Sequence, residues 1–365
     1  MGAGIAESAA LTGLSVVMVD VREEALDRGR RTIEKDLERR VKRGRISEEE
    51  CREMLGRVSA TTDLEACADA AVVVEAVVEN AGVKRGVFGD LEGVVSGEVV
   101  LATNTSSLSV AGIAAGTERP ERVVGMHFFN PVPAMRLVEV VTGPSTDPSV
   151  VRRVEEVAER LGKTPIRVSD TPGFVVNRVA RPFYLEALRL VEAGGKPEQI
   201  DASVRHAGFR MGPLELADLI GHDVNLAVSE SLFERYYYQP RFRPSHLQRS
   251  MVEGGLLGRK SGRGFYDYDE EGKVDSEAAE PQEDIALRIT SCIVNEAFLA
   301  LIEGVATAED IDRAMKLGAN YPKGPFEWAE EIGANSIIQT LDSLRAAHGD
   351  AYLAASSLRK RAAGT

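Results

Sequence analysis

The chain has 365 residues, 44% of them hydrophobic and 28% charged, with a net charge of −13. That length exceeds one simple core and calls for two or three domains, while the acidic balance excludes a general polyanion binder, so no nucleic-acid partner is expected. Cys51, Cys67 and Cys292 have no metal-type pairing, no apolar run is long enough to span a bilayer, and MGAGIAESAA lacks the layout of a signal peptide, so a reducing cytoplasm without membrane attachment is the expected setting.

In chain order, residues 3–12 read as a short helix. Residues 14–20 (LSVVMVD) are a β-branched run ending in an acid, a buried strand. A helix-rich stretch over 22–55 is interrupted near Gly44. Further apolar strands are expected at 70–79 (AAVVVEAVVE), 98–104 (EVVLATN) and 122–129 (RVVGMHFF), with a helix over 83–95 between the first two. Strands alternating with helices at this spacing predict a parallel sheet with helical crossovers, an α/β nucleotide domain over 1–170 that a helix at 148–161 and a strand at 164–170 close. Beyond Thr171-Pro172-Gly173 helical periodicity dominates, apart from a Gly-rich stretch at 254–268. Residues 171–268 form a first helical domain, the acidic segment 269–283 a linker, and 284–365 a second helical unit.

The two helical units repeat one another. Residues 184–204 (YLEALRLVEAGGKPEQIDASV) match 295–315 (NEAFLALIEGVATAEDIDRAM), and 212–221 (GPLELADLIG) match 324–333 (GPFEWAEEIG).

A strand ending in an acid is what the second strand of a dinucleotide-binding fold looks like. Asp20 there can accept both ribose hydroxyls of NAD, although many strands end in Asp at an ordinary turn. The phosphate loop of such a fold precedes that strand. Met1-Gly2 supply only the end of its G-x-G-x-x-G fingerprint, with Gly2 as the third glycine, and the first strand is absent. The expected start is therefore about ten residues upstream, the span of a strand plus loop; the rival reading is a product that folds poorly and holds NAD weakly.

Residues 125–143 (GMHFFNPVPAMRLVEVVTG) carry the chemistry. Two apolar strands flank Asn130-Pro131-Val132-Pro133, a turn rich in breakers. If the strands fold back around position 133, His127 and Glu139 are directly opposed and share a face, about 5 Å apart at Cβ. A carboxylate there fixes the imidazole tautomer and orients the ring, as a general base requires. By pattern alone the first reading is a satisfied half-buried histidine beside a glutamate.

Here the sequence resembles the L-3-hydroxyacyl-CoA dehydrogenase family, also called 3-hydroxybutyryl-CoA dehydrogenases. The motifs are VVEAVVEN (73–80), ATNTSSLS (102–109), GMHFFNPVPAMRLVEVV (125–141), TPGFVVNR (171–178), GPLELADLIG (212–221) and LGRKSGRGFYDY (257–268), in family order and spacing from Met1 to Tyr268. The resemblance implies a Rossmann-like nucleotide domain, here short of its first strand, followed by an all-α domain, with NAD as cofactor and an acyl-CoA substrate. It assigns His127 as the catalytic base, Glu139 as its partner, Ser106 as the serine that hydrogen-bonds substrate and Asn177 as the asparagine that helps position it. Asp20 becomes the ribose acid, and Glu79, Lys84, Asn130 and Lys260, with Ser106, line the NAD site.

The segment 28–45 (RGRRTIEKDLERRVKRGR) sets nine Lys/Arg against three acids. Composition makes it a solvated helix face; the resemblance makes Lys42 and Arg43 the contacts to coenzyme A. The activity implied is reversible NAD-dependent oxidation of an L-3-hydroxyacyl-CoA to the 3-oxoacyl-CoA, in fatty-acid or aromatic-acid β-oxidation or butanoate metabolism. The rivals are a non-catalytic acyl-CoA-binding relic without a complete NAD loop, an interaction module built on the tandem helices, and a dehydrogenase of a free 3-hydroxy acid. The second helical unit departs from the short form of the family, whose helices dimerise. The expected assembly is a homodimer, or a monomer whose internal repeat replaces the partner.

Overall fold

A computed structural model describes residues 1–269 and 279–364, so positions 270–278 of the expected linker lie outside the described residues. It separates two compact units, Met1–Thr171 and Pro172–Thr365. The break falls one residue after the position expected, and the two helical stretches expected as separate domains form a single unit.

The first unit starts with α1 (Gly2–Leu11), β1 (Val16–Val19), α2 (Glu23–Lys42), α3 (Glu48–Gly56) and β2 (Val58–Thr61). Gly44, at φ +64°, ends the α2 turn as the sequence suggested. Ser47 and Glu50 then restart the chain as a reciprocal capping box on α3. β3 (Val72–Glu75), α4 (Ala81–Glu92), β4 (Val100–Thr103), α5 (Val110–Ala114), β5 (Val123–Phe128), β6 (Leu137–Thr142), α6 (Pro148–Arg160) and β7 (Thr164–Ser169) complete it.

The sheet runs β3-β4-β5-β6-β7, parallel throughout except for the antiparallel β5–β6 pair. β1 and β2 pair in parallel as a separate two-stranded sheet, and among the described residues no strand joins it to β3. The expected strands are all found, but they make two sheets rather than one. Val100, Ala102, Val124, Met126, Phe128, Val138 and Val140 form a buried layer that α6 covers through Val150, Val154 and Ala158, and Ile5 and Ala9 of α1 join the same core. That continuous apolar run in β4, β5 and β6 is the signature of strands covered on both faces.

The second unit consists of α7 (Val176–Val179), α8 (Arg181–Glu192), α9 (Pro197–His206), α10 (Pro213–Ile220), α11 (His222–Arg235), α12 (His246–Glu253), α13 (Glu283–Ile302), α14 (Ala308–Gly318), α15 (Pro325–Ile332), α16 (Ala334–His348) and α17 (Ser356–Ala363). α10 and α15 start by the same device. Asp201 accepts the backbone N–H groups of Leu214 and Glu215, and Asp312 accepts those of Phe326 and Glu327. A Cβ on Gly212 or Gly324 would stand 2.2 Å or 2.1 Å from the respective carboxylate carbon, so only glycine lets each aspartate reach the helix start.

The expectation that nothing is long enough to span a bilayer is corrected by α13. By length and composition that helix is apolar enough to cross a membrane. Ile289, Ile293, Val294, Ala297 and Ala300 are instead buried at the centre of the unit, where α13 packs on α8, α15 and α16. A scan for unbroken apolar runs misses it because Arg288, Asn295 and Glu296 interrupt the stretch, and each of them is paired inside the fold.

Candidate active site

β5 and β6 align His127 against Glu139, Met126 against Val140 and Gly125 against Val141, the register expected from the turn. Side chains alternate faces with a period of two, so the opposed pair shares one face. His127 Nδ1 and Glu139 Oε2 are 2.6 Å apart. The histidine is 4% exposed and the glutamate 0%, so neither could sit there without the other. The Phe129 ring leans on the imidazole at 4.6 Å between centroids. Lys163 closes the connection between the strands by donating to the carbonyls of Val132 and Met135, at 2.6 Å and 3.0 Å, and burial pulls its ammonium below the usual lysine range.

Asn104, just past β4, was not singled out in the sequence. Its Oδ1 accepts the Phe128 backbone N–H at 2.9 Å and ties the serine loop to the strand that carries His127. Glu79 organises that loop. Its Oε1 accepts the Thr105 hydroxyl at 2.6 Å and the backbone N–H groups of Ser106 and Ser107 at 2.9 Å and 3.0 Å. Burial alone would push the Glu79 carboxyl up, but the Thr105 hydroxyl, the Lys84 ammonium and the Ser106 N–H together hold it below the usual range. Ser106 is exposed.

Lys84 does not stand at the surface. It is 1% exposed, bonded to both carboxylate oxygens of Glu75 at 2.8 Å and 3.0 Å, with Glu79 Oε2 at 3.3 Å. Glu75 also accepts the Thr103 hydroxyl at 2.7 Å and the Val77 N–H at 2.7 Å. Neither Glu75 nor Thr103 was named from the sequence. Their signal was an acid and a hydroxyl at the ends of apolar strands, which a buried cation requires.

Asp20 follows β1 and its Oδ1 accepts the Arg22 N–H at 3.0 Å. The start of α1 has neither a capping side chain nor an acid in its first turn, which leaves its backbone N–H groups suited to an anion. Gly2 opens α1, and a Cβ there would stand 3.9 Å from the Ala76 side chain, an ordinary contact. Asn130 is exposed after the β5 strand, and Lys42 and Arg43 are exposed at the end of α2. In the second unit, Lys260 pairs with Asp223 at the start of α11, and Asn177 sits in α7. Asp20, Glu79, Lys84, Ser106, His127, Asn130 and Glu139 all belong to the first unit.

Two family models decide the class. The 3-hydroxyacyl-CoA dehydrogenase NAD binding domain matches residues 1–171, and the C-terminal domain of the same enzymes matches 173–268 and 285–364. The chain belongs to the 3-hydroxyacyl-CoA dehydrogenase family. It is 39% identical to the 3-hydroxyadipyl-CoA dehydrogenase of Escherichia coli across 99% of this chain and 95% of that one. It is 46% identical to a probable 3-hydroxybutyryl-CoA dehydrogenase of Deinococcus radiodurans, across 73% and 96%. A crystal structure of 3-hydroxybutyryl-CoA dehydrogenase from Escherichia coli superposes with a TM-score of 0.95 at 37% identity, covering 100% of this chain and 96% of that one.

The chain is thus an NAD-dependent oxidoreductase that interconverts 3-hydroxyacyl-CoA and 3-oxoacyl-CoA. The residues present fit NAD: an uncapped helix start for the phosphates and a carboxylate beyond β1 for the ribose.

Proposed function

We propose that His127 is the general base of this dehydrogenase and that the L-3-hydroxy carbon is the reacting centre. The observation that carries the reading is the 2.6 Å His127–Glu139 contact inside a closed β-hairpin. Glu139 holds Nδ1, so the proton of the substrate hydroxyl goes to Nε2, and the carboxylate stabilises the imidazolium that forms. Bound NAD supplies the hydride acceptor. Ser106 steadies the substrate oxygen as it becomes a carbonyl, and Asn177 fixes the substrate's orientation. Asp20 accepts the ribose hydroxyls, the N–H groups beside Gly2 take the phosphates, and Asn130 and Lys260 complete the cofactor's surroundings.

Lys84 serves that site through Glu79: its ammonium sets the carboxylate that gathers the Ser106 and Ser107 N–H groups. Lys42 and Arg43, at the end of a helix rich in arginine, receive the phosphates of coenzyme A. Three buried, unpaired cysteines suit a cytoplasmic enzyme.

Following NADH absorbance with acetoacetyl-CoA and with free acetoacetate tests the reading. The thioester is expected to turn over with kcat/KM at least ~100-fold higher, because binding energy from the coenzyme is realised at the reacting carbon. Equal rates would favour the free-acid reading, and no turnover with either would favour a relic.

We also propose that the chain is a monomer in which the second helical stretch covers the face of the first. Support comes from two ion pairs that mirror one another. Arg178 bonds Glu296 at 2.7 Å, and Arg288, 110 residues later, bonds Glu186 at 2.9 Å. Such reciprocal contacts are the mark of a two-fold interface, here satisfied within one chain. Sedimentation is expected to give the mass of one chain at every concentration, and a concentration-dependent dimer would overturn this.

A further inference from the structure

α7 has only four residues, too few to hold its shape alone. The backbone before it is unusual. Gly173 and Phe174 both take positive φ, +75° and +48°, and a side chain at 173 would come within 2.6 Å of Leu232 Cδ2. Through residues 173–180 every position is buried except Asn177. The turn that carries this asparagine is therefore set by what grips its neighbours.

Arg178 is the principal grip. Its side chain is 0% exposed, with Nε donating to Glu296 Oε1 at 2.7 Å and Nη1 donating to Glu303 Oε2 at 2.8 Å. The guanidinium lies 5.0 Å above the Tyr236 ring, and Arg241, 5.4 Å from the same ring, reaches Glu296 Oε2 at 2.9 Å. Two arginines, two glutamates and one tyrosine so form a closed network, and both acids stand on α13 or at its end. One residue of helix is a 100° rotation, so fixing Arg178 fixes the direction in which Asn177 leaves a single-turn helix.

The mirrored pair lacks this feature. Arg288 and Glu186 repeat the ion pair, but the residue before Arg288 is Leu287, which offers no polar group. One arrangement thus occurs twice in the unit, and only one copy stands beside a polar side chain assigned to substrate.

We propose that Glu296 and Glu303 are positioning residues for the dehydrogenase reaction: by clamping Arg178 they set Asn177, so the second helical stretch tunes catalysis as well as covering the first. This rests on the reading of Asn177 as a substrate-positioning residue. Glu303 is 41% exposed on its side chain and is the variant to make first. Glu303→Gln keeps the melting temperature within about 2–3 °C. It lowers kcat/KM for the acyl-CoA about tenfold, as expected when a contact group is misaligned, and leaves the KM for NADH unchanged. Asn177→Ala lowers kcat/KM for the acyl-CoA as well, and adding Glu303→Gln to it produces no further loss, since the two act in series. Arg288→Lys, at the mirrored pair, lowers the melting temperature without changing acyl-CoA kinetics. Glu296→Gln, read in the same cycle, serves if Glu303→Gln shows no effect.

The proposal is overturned if both glutamate variants are kinetically silent, or if their losses add in full to that of Asn177→Ala. A silent Asn177→Ala would overturn the substrate role of Asn177 and this proposal with it. A strong Asn177→Ala effect beside silent glutamate variants would overturn the clamp alone.

Discussion

His127→Gln lowers kcat by at least ~100-fold and as much as ~10,000-fold, the range a positioned general base supplies, with NADH affinity unchanged. Glutamine is close to histidine in size and can still donate to Glu139, so the buried carboxylate keeps a partner and the hairpin keeps its register. What it cannot do is accept the hydroxyl proton at neutral pH. Steady-state rates with acetoacetyl-CoA and NADH, alongside NADH titration of the variant, separate the two effects. Turnover near the wild-type rate would remove His127 from the chemistry. Glu139→Gln is expected to lose less, because the ring stays in place and only the charge that stabilises the imidazolium is gone.

Lys84→Met has the largest expected effect on stability. It leaves the Glu75 carboxylate 4% exposed among apolar strands, with only the Thr103 hydroxyl and the Val77 N–H to answer it. Breaking one side of a buried pair costs about 3–5 kcal/mol. Urea unfolding at neutral pH measures the loss, and Lys84→Met combined with Glu75→Leu should recover most of it, since an apolar pair of similar volume removes the unpaired charge. If the single variant unfolds at the wild-type midpoint, the pair is not holding β3 to α4. The single variant also frees Glu79 from its cation, so weaker acyl-CoA turnover should accompany the loss of stability.

The β5–β6 hairpin was legible because two local rules were enough. A breaker-rich turn sets the centre of the fold-back, and the alternation of side chains then places His127 opposite Glu139. The short strand β2 was not legible: Val58–Thr61 mixes Ser, Ala and Thr, and pairs with a strand some forty residues earlier. Lys84 was identified by motif as a cofactor residue, yet its burial between Glu75 and Glu79 depends on β3, α4 and β4 coming together. Contacts such as Arg178 to Glu296, 118 residues apart, leave no local trace at all. α13 escaped the scan for apolar runs for a related reason: Arg288, Asn295 and Glu296 break its apolar stretch, and each finds its partner only in the folded unit.

The mirrored arginine–glutamate pairs also bear on how the enzyme behaves when scarce. Were the two halves of this exchange on separate molecules, each would have to find the other by collision, and thinning the solution would part them. Strung on one polypeptide, they meet at an effective concentration fixed by the tether. Specific activity should therefore stay level as the enzyme is diluted toward trace amounts.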